Sequence, residues 1–341
     1  MSEQTFKKES CNNTIEVGVK KCAVYTTRQI VILGLLAGAF TALGGFAAAM
    51  GAHAIDNYSI SKFVNGSLFS IGLILVLTCG GELFTGNVIT IQAYLQKRIT
   101  INQFMKNLFI VYIFNFIGIF IICFLIFTSG LLTSNHGRVL AFILEATAHK
   151  SDLNIISSFS AGILCNFLIC LAVWGAYGTK SPVTKILLGY LAITGFIVSG
   201  FENSIANMFY FITSLLAELN HSLIALSGVS DIIIDKINIA SAIGNIVPVT
   251  LGNAIGGIIF VGISYWTAYE YIPRKSEKPN FVVVTTNKDF KDFKDKEYSF
   301  NNDDSFVIDI DKHVRVYIPD TRKENIIDLR YVDFESNYYC H

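Results

Sequence analysis

Two segments place an acid and an amide among apolar residues. Gly80-Gly81-Glu82-Leu83-Phe84-Thr85-Gly86-Asn87 reads GGELFTGN, and Gly200-Phe201-Glu202-Asn203-Ser204-Ile205-Ala206-Asn207 reads GFENSIAN. Both follow G-x-E-x-x-x-x-N. Such a group interrupts a helix, and in lipid an interruption frees backbone N–H and C=O groups that cost several kcal/mol each unless satisfied. Glu82 and Glu202 fall where a second half-helix should begin. A carboxylate there can accept hydrogen bonds from first-turn N–H groups and oppose the positive end of the helix dipole. The two acids are therefore read first as supports of a helix break, with a direct transport role as the alternative. The other polar groups at each break must face a cavity rather than lipid.

The surroundings of these segments explain why lipid enters the argument. The chain has 341 residues, is 52% hydrophobic and 15% charged, and has a mean hydropathy of +0.51. Soluble domains are nearer a quarter charged. The apolar residues come in runs near the roughly 20 needed to cross a bilayer. An all-α integral membrane protein follows, with six spans at 29–54, 62–95, 104–130, 156–177, 182–216 and 242–271. The second and fifth are too long and carry the two interruptions. The net charge of +0 gives no sign of nucleic-acid binding. The seven cysteines have no CxxC spacing, which argues against a disulfide framework or a metal site.

A second pair of motifs turns these interruptions into a repeat. Asn107, Asn115 and Gly118 in the third span, and Asn245, Asn253 and Gly256 in the sixth, both follow N-x7-N-x2-G. Two matches in the same order imply a duplicated three-span unit. Three is odd, so the second copy is inverted. Paired broken helices in an inverted 3+3 repeat meet near the midplane of transporters and channels.

The flanks set the remaining organisation. Residues 1–28 form an N-terminal arm, with an amphipathic helix over 14–27 expected on the membrane surface. Its start, MSEQTFKKES, is polar, so the first span is expected to act as its own insertion signal. Lys7, Lys8, Lys20, Lys21, Arg28, Lys97, Arg98, Lys180, Lys185, Arg274, Lys275 and Lys278 flank one side of the spans. Lys62, Arg138, Lys150 and Lys236 flank the other, so both termini are expected in the cytoplasm. The sequons at Asn57 and Asn220 would then lie outside. The six-span transport domain is expected over 29–272 and a cytoplasmic tail over 273–341. In the tail, FVVVTT (281–286) and SFVIDIDKHVRVYIP (305–319) alternate in strand fashion around the charged linker KDFKDFKDKE (288–297). The tail is read as mostly disordered or loosely attached, with a small hairpin as the alternative.

GGELFTGN, SGFENSIANMF and NIVPVTLGNAIGG, in this order within six spans, resemble the formate–nitrite transporter family. The likeness runs from about Ile15 to Tyr271. It implies an aquaporin-like protomer with its own pore, assembled as a homopentamer. It also implies passage of formate, acetate, lactate, nitrite or hydrosulfide, often with a proton. No cofactor is implied, and the plasma membrane is the expected location.

Carried over by position, the resemblance places Leu83, Phe84 and Thr85 in a short non-helical loop. It assigns Leu83, Phe84, Ile169 and Phe196 to an extracellular-side constriction, and Phe69 and Leu73 to a cytoplasmic-side one. It makes Lys150 a vestibule lysine and Asn166 a pore-lining amide. Asn203 matches the central position, where most members carry His. That departure puts a relay through a protonatable imidazole in question. Lys150 by itself reads as a solvated loop lysine, and the Phe and Leu positions by themselves as packing.

Two other classes compete. A neutral-solute channel shares the inverted repeat, but the paired Asn-Pro-Ala signature is missing. A scaffold using the tail would not need two broken helices. His53, His136, His149 and His221 lie at loops or span ends and His313 and His341 in the tail, so no haem-type pair and no Ser/His/Asp set points to an enzyme.

Overall fold

The computed structural model describes residues 3–270 and three strands, Val282–Val284, Val307–Ile308 and Val314–Tyr317. The helices of the first unit are α1 (Glu3–Val19), α2 (Thr27–Ala52), α3 (Tyr58–Cys79), α4 (Phe84–Asn87), α5 (Ile91–Leu95), α6 (Ile101–Thr128) and α7 (Arg138–Ser151). They continue with α8 (Ile155–Tyr177), α9 (Pro182–Val198), α10 (Ser204–Glu218), α11 (His221–Ser227), α12 (Asp231–Ile234), α13 (Ile239–Gly257) and α14 (Ser264–Tyr269). Short polar side chains start the long helices. Thr26 and Thr100 form capping boxes with Gln29 and Gln103, and Asn57, Asn154 and Asn238 cap α3, α8 and α13. Each cap satisfies an N–H that lacks an intrahelical acceptor.

Five helical segments, α2, α3, α6, α8 and the run from α13 into α14, are long and apolar enough to cross a membrane. The shorter apolar α9 continues past a break into α10 and completes a sixth crossing. The first copy is α2, α3 with α4 and α5, and α6. The second is α8, α9 with α10, and α13 with α14. The packing repeats with them: α2 contacts α6 and α3, as α8 contacts α13 and α9, and α3 meets α9.

Glycine makes both features possible. Gly80 and Gly200 adopt φ of 89° and 74°, the left-handed region where a side chain is strained, and each ends the first half-helix of its copy. Gly118 and Gly256 let helices touch: a Cβ on either would collide with the Leu35 or Ile163 carbonyl oxygen of the neighbouring helix.

The N-terminal helix departs from the sequence expectation. It starts at Glu3, ends in a π-helical turn over Lys20–Val24, and buries Ser10, Cys11, Thr14 and Ile15. It packs on α5, α8 and α14, so its inward face meets protein rather than a bilayer surface. In the second unit β1 (Val282–Val284), β2 (Val307–Ile308) and β3 (Val314–Tyr317) pair antiparallel in the order β1-β3-β2. The strands fall in the two alternating stretches, and the rest of the tail lies outside the described residues.

Candidate functional site: two mirrored helix breaks

Each break is held by the same five residue types in matching positions, with only the lysine's bonds differing between the copies. In the first copy Lys21 Nζ lies 3.1 Å from Glu82 Oε1 and donates to Asn87 Oδ1 at 2.7 Å. Asn87 Nδ2 donates to Glu82 Oε2 at 2.6 Å and to Asn107 Oδ1 at 3.0 Å, and Asn107 Nδ2 donates to the Lys21 carbonyl at 3.2 Å. In the second copy Lys150 Nζ donates to Glu202 Oε1 and Oε2 at 2.9 and 3.0 Å. Asn207 Nδ2 donates to Glu202 Oε2 and Asn245 Oδ1, both at 2.6 Å, and Asn245 Nδ2 donates to the Lys150 carbonyl at 3.0 Å.

The fifth residue, Asn115 or Asn253, ties the break to the first helix of its copy. Asn115 Nδ2 donates to the Gly34 and Glu82 carbonyls at 2.8 Å each, and its Oδ1 accepts from the Phe84 N–H at 3.0 Å. Asn253 Nδ2 donates to the Gly162 and Glu202 carbonyls at 2.8 and 3.0 Å, and its Oδ1 accepts from the Ser204 N–H at 2.9 Å. The Glu82 and Glu202 N–H groups close the pattern on the Leu33 and Ala161 carbonyls. A single amide thus satisfies two backbone groups that the break sets free, a carbonyl and an N–H, and binds one carbonyl of the neighbouring intact helix.

This corrects the role expected of the two acids. Neither carboxylate caps the following half-helix. The caps come from Asn115 and Asn253, and Asn203 Oδ1 also accepts from the Ile205 and Ala206 N–H groups at 3.0 and 3.1 Å. A neutral amide fits there because it can donate to carbonyls and accept from an N–H at once, which a carboxylate cannot. The acids are instead turned toward lysines. Lys21 is 11% and Glu82 3% exposed, and Lys150 14% and Glu202 6%. Lys150 is therefore not a solvated loop lysine; its ammonium is paired with Glu202 and stands 5.3 Å from the Tyr210 ring centroid. At Lys21, burial acts against the charge, but Glu82 and Tyr177 more than offset it and hold the ammonium above the ordinary lysine value.

Below the first break lies a cavity of about 220 Å³ lined by Lys21, Glu82, Leu73, Leu83, Tyr177 and Lys185, among others. The lining regroups the expected constrictions. Leu73 and Leu83 face one cavity together, on the face from which α2 departs. Phe69 is a turn nearer the start of α3 and stacks on Tyr210, 6.4 Å between centroids, beside Lys150. Because α3 runs back toward the N-terminal face, four residues separate the two sides of the bundle's middle.

The other expected residues are buried between the two clusters. Phe84 sets its ring edge-on to Tyr112 at 5.0 Å. Phe196 and Ile169 are buried and do not line the cavity. Asn166 Nδ2 donates to the Asn253 carbonyl at 2.6 Å. Thr85 Oγ1, Asn166 Oδ1 and Ser204 Oγ are buried without a protein partner. Lys21 and the asparagines at 87, 107, 207 and 245 were not among the expected site residues. The repeat held the signal for Lys21, because a lysine precedes the first span of each copy.

A family model described as formate/nitrite transporter matches residues 8–267. The chain is 34% identical over 215 residues to the formate channel FocA of Escherichia coli K12, covering 62% of this chain and 75% of that one. It is 33% identical over 238 residues to FocA of Haemophilus influenzae, covering 67% and 83%. A solved structure described as a pentameric formate channel with formate bound is 29% identical, with a TM-score of 0.65 and coverage of 71% of this chain and 97% of that one.

Proposed function

The chain belongs to the formate/nitrite transporter family, and on that premise we propose that it carries formate across the membrane through a pore within each protomer of a homopentamer. Acetate, lactate, nitrite and hydrosulfide belong to the same substrate class of small monovalent anions. The protomer sits in the plasma membrane with both termini in the cytoplasm.

The observation that carries this reading is the mirrored pair of Lys–Glu–Asn–Asn clusters on either side of an apolar middle. Leu73, Leu83, Phe84, Phe69 and Phe196 form the dry part of the path. An isolated carboxylate there would meet an idealised Born cost of tens of kcal/mol. Protonating a carboxylate of pKa about 4 at pH 7 costs only roughly 4 kcal/mol. The neutral acid is therefore the species that crosses, and a proton accompanies each anion. Bulk water supplies that proton, because Asn203 cannot titrate near neutral pH. Asn166, Thr85, Ser204 and Asn203 surround the middle with polar atoms, three of them unpartnered, that can orient an acid or a water. Lys21 and Lys150 act at contact range, since their carboxylate partners cancel the net charge of each cluster.

Uptake of labelled formate into proteoliposomes tests the reading. It should rise above protein-free vesicles and increase as external pH falls, while uncharged polyols cause no swelling. A charge-carrying current insensitive to the proton gradient would reject the neutral-acid scheme.

A further inference from the structure

The cavity on the N-terminal face holds one cation that nothing in the cluster neutralises. Its charged lining consists of Lys21, Glu82 and Lys185. Glu82 is fully engaged: Oε1 faces Lys21 and Oε2 accepts from Asn87. Among the described residues, the Lys185 ammonium makes no hydrogen bond or ion pair. The cavity therefore carries an excess of one positive charge, and that charge is on Lys185.

The position of Lys185 makes its lack of a partner informative. Ser181 caps α9, Pro182 occupies its first turn, and no acid stands there. Lys185 thus lies near the positive end of a 17-residue helix, where a cation is disfavoured, on the wall of the cavity that Lys21 also lines. Helix starts of this kind favour anions. The opposite mouth carries a lysine of its own on the matching helix, Lys62 of α3, within electrostatic reach of Lys150 and Glu202.

We propose that Lys185 is the residue that captures the substrate anion at the N-terminal-face mouth, before the anion meets Lys21 and takes up its proton. This rests on the transport reading above. It moves long-range attraction from the neutralised Lys21–Glu82 pair to an unpaired side chain at the cavity wall. The ligand is a small monovalent anion, with formate as the probe.

The test uses the full chain in proteoliposomes whose two orientations are separated by tag accessibility. Detailed balance makes low-concentration permeability equal in both directions, so the diagnostic quantity is the half-saturation constant from each face. Lys185→Ala and Lys185→Gln should raise it about fivefold from the N-terminal face at low salt, the scale of one water-screened charge. Lys185→Arg should keep the wild-type value, and the far-face constant should not move. The difference should vanish between about 10 mM and about 1 M salt, as the Debye length falls from about 30 to about 3 Å. Wild-type behaviour of Lys185→Ala at low salt would overturn the assignment. So would an equal, salt-independent loss from both faces that Arg does not rescue. Failure of the wild type to carry formate at all would instead reject the transport reading.

Discussion

Lys150 Nζ reaches both carboxylate oxygens of Glu202, at 2.9 and 3.0 Å, in a setting where neither side chain is more than 14% exposed. Removing one partner of such a pair strands the other charge, which costs about 3–5 kcal/mol. Lys150→Ala should therefore lower the thermal midpoint in detergent and the yield of folded protein, not merely weaken anion attraction. Lys150→Ala combined with Glu202→Gln should recover much of the loss, because Gln can still accept from Asn207. If Lys150→Ala unfolds like wild type, the pair is not a structural element of the break.

Asn115 and Asn253 make equivalent bonds to three backbone groups each. Leaving a buried polar group unsatisfied costs about 1–3 kcal/mol. Asn115→Ala and Asn253→Ala should each destabilise by several kcal/mol and by similar amounts. Asp at either site should not rescue, since a carboxylate cannot donate to the two carbonyls. A large loss at one site and none at the other, by calorimetry in the same detergent, would contradict their equivalence.

Gly118 and Gly256 predict an overpacking effect. A Cβ at either position meets a backbone carbonyl, which cannot rotate away as a side chain would. Gly118→Ala should force α6 from α2, and Gly256→Ala should force α13 from α8, at about 1–3 kcal/mol each. Unchanged thermal midpoints for both variants would show that these helices are free to separate.

The legible and illegible parts of this protein divide along physical lines. The spans, the breaks and the inverted repeat were readable because lipid imposes length and apolarity on every crossing helix, and an acid inside such a run has no neutral explanation. The N-x7-N-x2-G motifs located Asn115 and Asn253 without revealing that they, and not Glu82 and Glu202, satisfy the freed backbone. That depends on which helix carbonyls come within reach, a tertiary fact. Lys21 was counted among the basic flank residues because nothing local separates a buried lysine from a solvated one. Grouping Phe69 with Leu73 failed similarly: one turn of α3 crosses the middle of the bundle, and sequence proximity hides that. The tail's alternation marks where β1 to β3 lie, because period-two apolar residues suit a strand.

Asn203 decides where the proton comes from. Its Oδ1 is committed to the Ile205 and Ala206 N–H groups, so it acts first as the cap of α10. The amide's Nδ2, beside the buried Cys165 side chain, is the donor left to offer an acid or a water. If bulk water protonates the anion, wild-type formate uptake should rise as pH falls from about 8 to about 5, following the fraction of neutral acid. Asn203→His should then transport as well, with the same pH dependence. Asn203→Asp keeps the cap but places a carboxylate in the path, and should slow formate by repelling any anion that arrives unprotonated. Asn203→Leu removes both cap and donor, so its loss of stability, about 1 kcal/mol for a missing N-cap, must be measured beside its loss of uptake. The deciding comparison is wild type against Asn203→His at matched surface expression. A pH response confined to the His variant would reject bulk protonation and make a central imidazole the proton donor.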